Sequence, residues 1–388
     1  MKSRVLFPIH LAIVLLFAAP AWSDSSPAPD TEDIYTIVER SQVQVNRPAF
    51  LTLAPPRAPG RPPTVLISSF GLVGSDHIYR LRDPREALSL GIASFDEITN
   101  DVTWPNEVQP LGIDEFGHEG YLISSGFLVP WKATGAVSFL DTSGYVHPLT
   151  RNKFQYFYHR AVFVDLTGTG RRDILTARAK VSPAGNDSEL VWLKRPKRPL
   201  NGPWEEVVLA KGPDMHFRVF KDERSGLLFI ATAEFISKKV GLYWIEKDGS
   251  VGGRLIDDEI GAGFDVDVQD LNNDGRPELL VTNHESEAAK SGVFAYEMPD
   301  DLKTGEWKRH TLVIGIETRQ SGIGQASPGA AKVFYPETPR SVNKSLGFWC
   351  QETVRRGSIC SSLNLKMPAI GVTRKLRSWM RSPPSASL

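Results

Sequence analysis

Cysteine is nearly missing from this chain: it has two in 388 residues, Cys350 and Cys360, which excludes a scaffold built on disulfides. A bridge between them would close only a local loop, in an oxidising compartment. Net charge is missing as well, since 45 Lys and Arg balance 45 Asp and Glu. That balance removes the basic footprint of a nucleic-acid-binding surface. After residue 19 no apolar run approaches the roughly 20 residues that cross a bilayer. No stretch sustains the 3.6-residue periodicity of a long helix. A Gly-x-Ser-x-Gly elbow, a His-Glu-x-x-His zinc motif and a phosphate loop are all absent. What is left is a series of short β-type segments separated by polar turns.

The first residues carry an address. Lys2 and Arg4 precede an apolar stretch from Val5 to Ala19, and Ala21-Trp22-Ser23 offers small residues around a cleavage point. This is the grammar of a secretory signal peptide over residues 1–23, so the expected location is secreted, extracellular. Residues 24–49 are rich in Ser, Pro, Ala and Asp and read as a linker. Asn186-Asp187-Ser188 and Asn343-Lys344-Ser345 are glycosylation sequons in a host that uses them.

The most informative segment is Asp270-Leu271-Asn272-Asn273-Asp274-Gly275-Arg276-Pro277-Glu278. Asp270, Asn272, Asp274 and Glu278 place side-chain oxygens at positions 1, 3, 5 and 9, and the Arg276 carbonyl can supply position 7. Such spacing lets a short loop wrap a hard, oxygen-seeking Ca²⁺ ion. An EF-hand would need glutamate at position 12, where Val281 stands, and helices on both sides. Instead Phe264, Val266 and Val268 alternate with Asp265, Asp267 and Gln269, and Leu279-Leu280-Val281 follows, so both flanks read as strands. Asx-Gly turns also join strands without any metal.

The frame recurs. Asp165-Leu166-Thr167-Gly168-Thr169-Gly170-Arg171-Arg172-Asp173 repeats it with hydroxyls at positions 3 and 5, which makes it a weak or empty metal site. From Thr176 to Thr232 to Thr282 the steps are 56 and 50 residues, enough for one four-stranded unit each. Further strands recur at Leu190–Leu193, Gly241–Ile245 and Gly292–Tyr296, and closing strands at Trp204–Leu209 and Trp307–Leu312. Upstream, Pro63–Phe70 reads as the strand that opens a first unit, and Gly120–Gly126 and Gly135–Leu140 as strands of a second. Trp104 and Trp131 are assigned to packing between units.

Strand, acidic loop, strand, repeated, resembles the FG-GAP/VCBS repeat of integrin-α-type β-propellers. The resemblance covers about residues 60–330 and is most specific over 161–312. It implies an all-β fold, a β-propeller of four-stranded blades over residues 50–330, with Ca²⁺ as cofactor held by Asp270, Asn272, Asp274, Arg276 and Glu278. Seven blades are common in that family. The observed period accommodates about five, which implies an incomplete ring. Residues 331–388 carry nine Lys or Arg against two acidic residues from Glu337 onward, and read as an atypical, basic, disordered tail.

Two function classes follow. The first is a non-enzymatic, secreted, calcium-binding module for an extracellular protein or glycan, as in adhesion. The alternative is a secreted polysaccharide lyase or hydrolase. An enzyme needs an acid and a base in one pocket, and His159-Arg160, His216 and His284-Glu285 are placed to line one end of a central channel.

Overall fold

Each β-type run pairs with its sequence neighbour as an antiparallel strand. A computed structural model describes residues 45–54, 63–90, 93–151, 153–182, 185–272, 274–318, 326–334 and 347–350. The signal peptide, most of the linker, Asn343 and Cys360 lie outside the described residues.

The fold is an all-β propeller of five four-stranded antiparallel blades, each a simple meander of strands a to d. Blade 1 is Pro48–Ala54, Thr64–Ser69, His77–Leu81 and Phe95–Thr99. Blade 2 is Pro105–Leu111, Gly120–Ser125, Val137–Asp141 and Val146–Pro148. Blade 3 is Tyr156–Val164, Asp173–Ser182, Gly185–Lys194 and Glu205–Lys211. Blade 4 is His216–Lys221, Leu228–Glu234, Lys239–Ile245 and Val251–Asp257. Blade 5 is Gly263–Gln269, Glu278–Asn283, Gly292–Glu297 and Lys308–Ile314. Strand a of each blade touches strand a of the next, so these strands surround the axis. Among the described residues the α-helices are short, Pro84–Leu90 and Ile113–Phe116, and none is long and apolar enough to cross a membrane.

The core is a stack of apolar layers, one between each pair of blades. Ile174 of blade 3 packs against Leu122 and Phe139 of blade 2, while its neighbour Leu175 packs with Ile230 and Tyr243 of blade 4. In blade 5, Leu279 and Val281 face blade 4, and Leu280 faces the opposite way. Both faces of each central strand are therefore buried, which is why these strands are continuous apolar runs rather than alternating ones. Full burial of each such side chain stabilises by about 1.5–3 kcal/mol.

Three expectations need correction. Pro63–Phe70 is strand b of blade 1, not its first strand, because Pro48–Ala54 pairs ahead of it. The region assigned to a tail starts with structure: Ala331–Phe334 pairs with Gly347–Cys350. Ala331 and Val333 complete the apolar layer on the far side of blade 5. Asp265 and Asp267, which alternation placed on a solvated face, lie at the axis, and Asp265 is 3% exposed.

Blade 1 differs from the others on the face turned away from blade 2. Leu51 and Leu53 are 43% and 67% exposed there. Among the described residues, no interface like those between consecutive blades joins blade 1 to blade 5 or to Ala331–Phe334.

Candidate functional site

The meander gives the propeller two distinct ends. At one, strand a runs into strand b; this loop end carries Asp165–Asp173 and Asp270–Glu278. At the other, strand a begins and strand b finishes; this mouth end carries the connections 70–76, 126–133 and 235–238.

Aromatic rings from all five blades meet at the mouth. Phe127 stacks on Trp104 with centroids 4.0 Å apart, and Trp104 on Phe70 at 4.4 Å. The run continues from Phe70 to Phe50 at 5.8 Å, to His159 at 5.5 Å and to His216 at 4.5 Å. Phe264, His284 and Phe235 complete it at 5.9, 4.8 and 5.9 Å. Offset and edge contacts of this kind are favourable beyond burial alone. Trp131 stands at the rim, 65% exposed, with its indole N–H donated to the Leu72 carbonyl at 2.5 Å. Trp104 is inter-blade packing as expected, whereas Trp131 joins blades 1 and 2 through its N–H while most of its ring is exposed.

Local backbone explains why these side chains converge. Strand a is bulged at Ala49, Asn106, His159 and Phe264, one residue in each of four blades. A bulge adds an unpaired residue and re-aims its side chain. Hydroxyls then fix the frame: Ser124 donates to the His159 carbonyl at 2.9 Å and Thr176 to the Arg160 carbonyl at 2.7 Å. Trp104 sits at φ 52°, a conformation costly for a bulky residue. Buried Asp76 holds it by accepting the Trp104 N–H at 2.7 Å, and Lys132 donates to the same carboxylate at 2.6 Å.

Below the rings lies a belt of ion pairs between blades. Arg160 reaches Glu107 at 2.8 Å, Arg218 reaches Asp267 at 3.1 Å, and His216 Nδ1 lies 3.4 Å from Asp265. Lys332, on the strand after blade 5, reaches Asp265 at 2.5 Å. Burial pushes the His216 imidazole well below its ordinary pKa, and the charges of Arg160, Lys332 and Arg218 add to that effect. Burial does the same to His159, helped by His216 and Arg160. Both imidazoles are therefore neutral at physiological pH.

The acidic loop is at the opposite end. Asp270 accepts the N–H of Asp274 at 3.2 Å and of Gly275 at 3.1 Å, and Asp274 accepts that of Arg276 at 2.7 Å. Asn272 bonds Asp274, and Glu278 accepts the Leu271 N–H at 2.8 Å. Burial pushes the Glu278 carboxyl up to about 8, and the charges of Asp274 and Asp270 act in the same sense. Four oxygen-bearing side chains crowded against mutual repulsion fit a hard divalent cation chemically. Among the described residues, no three His, Cys, Asp or Glu groups stand together at metal-holding spacing. Binding would therefore draw Asp270, Asp274 and Glu278 closer together, with lone pairs still free to accept the amide groups they now cap. The earlier copy is stitched internally: Asp165 accepts N–H groups from Thr169 and Gly170 at 3.1 and 2.6 Å. Its Asp173 is committed to the Trp192 indole at 2.8 Å.

The structure brings together His159, Arg160 and His216, and joins His284 to them through Phe264. Sequence reasoning missed Asp265, Asp267, Glu107 and the ring partners. Only the unusual acid pair within an apolar strand, Phe264 to Val268, signalled them.

No family model matches this sequence, and none of the curated proteins does. Solved structures do resemble it. A protein of unknown function from Dyadobacter fermentans is 10% identical over 81% of this chain and 98% of that one, with a TM-score of 0.47. An N-acetylgalactosamine deacetylase from F. plautii, solved with blood group B trisaccharide, is 11% identical over 65% and 80%, at 0.38. A GH43 β-1,3-galactosidase solved with galactodeoxynojirimycin is 9% identical over 57% and 77%, at 0.33. The function must be argued from the residues themselves.

Proposed function

We propose that this protein is an exported, calcium-clamped β-propeller that binds glycan through its mouth end. The carrying observation is the run of rings from Phe127 to Phe235, drawn from all five blades, with Trp131 exposed at its rim. Trp131, exposed beside the half-buried rings of Phe50, Phe70, Phe127 and Phe235, suits a sugar, whose C–H faces pack on aromatics while its hydroxyls bond outward. The calcium role is assigned to Asp270, Asn272, Asp274, Glu278 and the Arg276 carbonyl. It is architectural, since that loop lies at the other end of the blade.

The test is calorimetry of the full chain against a panel of oligosaccharides, repeated with Trp131→Ala. A sugar ligand that loses about tenfold in affinity in the variant, or about 1.4 kcal/mol, supports the reading. A ligand bound equally by both proteins removes Trp131 from the site, and no binding across the panel sinks the reading.

One observation favours a lyase or hydrolase instead: neutral His216 is a base whose Nδ1 lies 3.4 Å from the Asp265 carboxylate. Depolymerisation of a polysaccharide that His216→Ala abolishes would establish it, and glycan binding without turnover would remove it.

A further inference from the structure

The buried polar atoms left without a hydrogen-bond partner at the axis share one property. They are His159 Nδ1, both ring nitrogens of His216, Arg160 Nε and Arg218 Nε. All are nitrogens. Among the described residues, no oxygen of Glu107, Asp265 or Asp267 is buried in the same unpartnered way. His159 is 5% exposed and Arg160 is 9% exposed, so water does not substitute for the missing partner from bulk. A buried polar group left unmatched is costly, and native structures rarely leave several in one place without a partner.

The chemistry of the missing partner follows. A guanidinium offers five N–H donors and no acceptor, and each neutral imidazole offers one N–H. Arg160 spends only Nη1 on Glu107, and the Arg218 Nε contact with Asp267 lacks hydrogen-bond geometry. The guanidinium Nε groups need acceptors, while each neutral imidazole has one donor and one acceptor nitrogen, so the matching group carries acceptors beside a hydroxyl. A metal ion does not fit, because among the described residues no three His, Cys, Asp or Glu groups stand at metal-holding spacing, and Glu107, Asp267 and Asp265 are paired with Arg160, Arg218 and Lys332. An uncharged hydroxyl supplies too few lone pairs for converging donors. A carboxylate has two oxygens with about four acceptor sites and matches a guanidinium edge. Beside it, the Lys332 side chain is 50% and that of Arg218 31% exposed.

The geometry points to a carboxylate pocket at the propeller axis, in which His159, Arg160, His216 and Arg218 receive the acid group of a uronic-acid residue. This rests on the glycan reading and narrows it: the ring run holds the sugar faces, and the nitrogens select an acidic sugar over a neutral one.

Calorimetry on the full chain decides it. The probes are tetrasaccharides of galacturonate, mannuronate and a glucuronate-containing repeat, with the methyl ester of each. Two further probes are a sulfated oligosaccharide lacking carboxylates and inorganic sulfate. At least one uronate should bind ten times or more tightly than its own ester. His216→Phe, which keeps a ring between His159 and Phe264 but removes both nitrogens, should erase that preference. His159→Phe serves the same purpose if the first variant melts early. Acid and ester binding equally, with Trp131→Ala weakening both, overturns the carboxylate pocket and leaves the glycan reading intact. Tighter binding of the sulfated probes than of any uronate overturns the choice of carboxylate. No binding of any sugar removes both.

Discussion

Asp76 shows how much of the mouth depends on one side chain. Its carboxylate is buried, neutralises Lys132 and holds the N–H of Trp104, the residue forced to a positive φ. Removing one member of a buried pair leaves an uncompensated charge, at a cost of about 3–5 kcal/mol. Asp76→Ala should lower unfolding free energy by about that amount in urea titrations. It should also free Trp104, seen as a shift in tryptophan fluorescence while the protein is still folded. A loss below about 1 kcal/mol would mean that Lys132 finds water, and that the pair is not part of the frame.

Asp214 acts at the same end. It accepts the N–H groups of Phe235, Ile236 and Ser237 at 2.7, 2.8 and 3.0 Å, and so holds the last ring of the run. Burial pushes its carboxyl up to about 7, and the charge of Glu234 adds to this against those three donors. The folded pKa is thus above the unfolded one, so the folded state holds the proton more tightly. The contribution is fully present below about pH 4 and is lost as pH rises to about 7, by at most about 1.4 kcal/mol per unit. The stability of the wild type relative to Asp214→Asn should therefore fall between pH 4 and 7. A flat difference across that window would show that Asp214 stays ionised in the fold.

At the scale of elements, the blade explains what could be read ahead of the structure. Blades 3 to 5 were legible because buried central strands such as Leu279–Val281 must be apolar on both faces, and the period recurs at Thr176, Thr232 and Thr282. The mouth was not legible for two physical reasons. Its rings come from positions between Phe50 and His284 that only closure of the blades brings together. Its key residues also sit at bulges, as His159 and Phe264 do, where alternation fails as a guide to facing. Asp265 was hidden differently, by an alternation that mimics a solvated edge.

The acidic loop is an element whose role is separable. Calcium at about ten times its dissociation constant should stabilise the protein by about 1.4 kcal/mol. Thermal melts with and without the ion should show this for the wild type and not for Asp274→Ala. Asp165→Ala should keep the calcium response of the wild type, because Thr167 and Thr169 give that loop only weak ligands at positions 3 and 5. Stabilisation that survives Asp274→Ala would place the ion elsewhere.

For the whole molecule, each apolar layer joins two blades, so stability is shared along the arc rather than centred in one core. The layer beyond blade 5 is completed by Ala331 and Val333. Ala331→Asp puts a carboxylate against Leu280, Val293 and Leu312, and should cost several kcal/mol, roughly the penalty for burying an unpaired polar group. Denaturant melts should show a transition that is both lower and broader. An unchanged midpoint would mean that the strand pair is a peripheral addition.

That strand pair also has a consequence in time. A chain made from its N-terminus forms blades 1 to 4 while later residues are still unmade. Blade 5 cannot bury its outer face until Ala331–Phe334 has emerged, and its partner Gly347–Cys350 comes later still. The newborn protein thus carries one open apolar face until that strand has been made. A truncated translation product ending near residue 320 would be the form most exposed to chaperones and proteases.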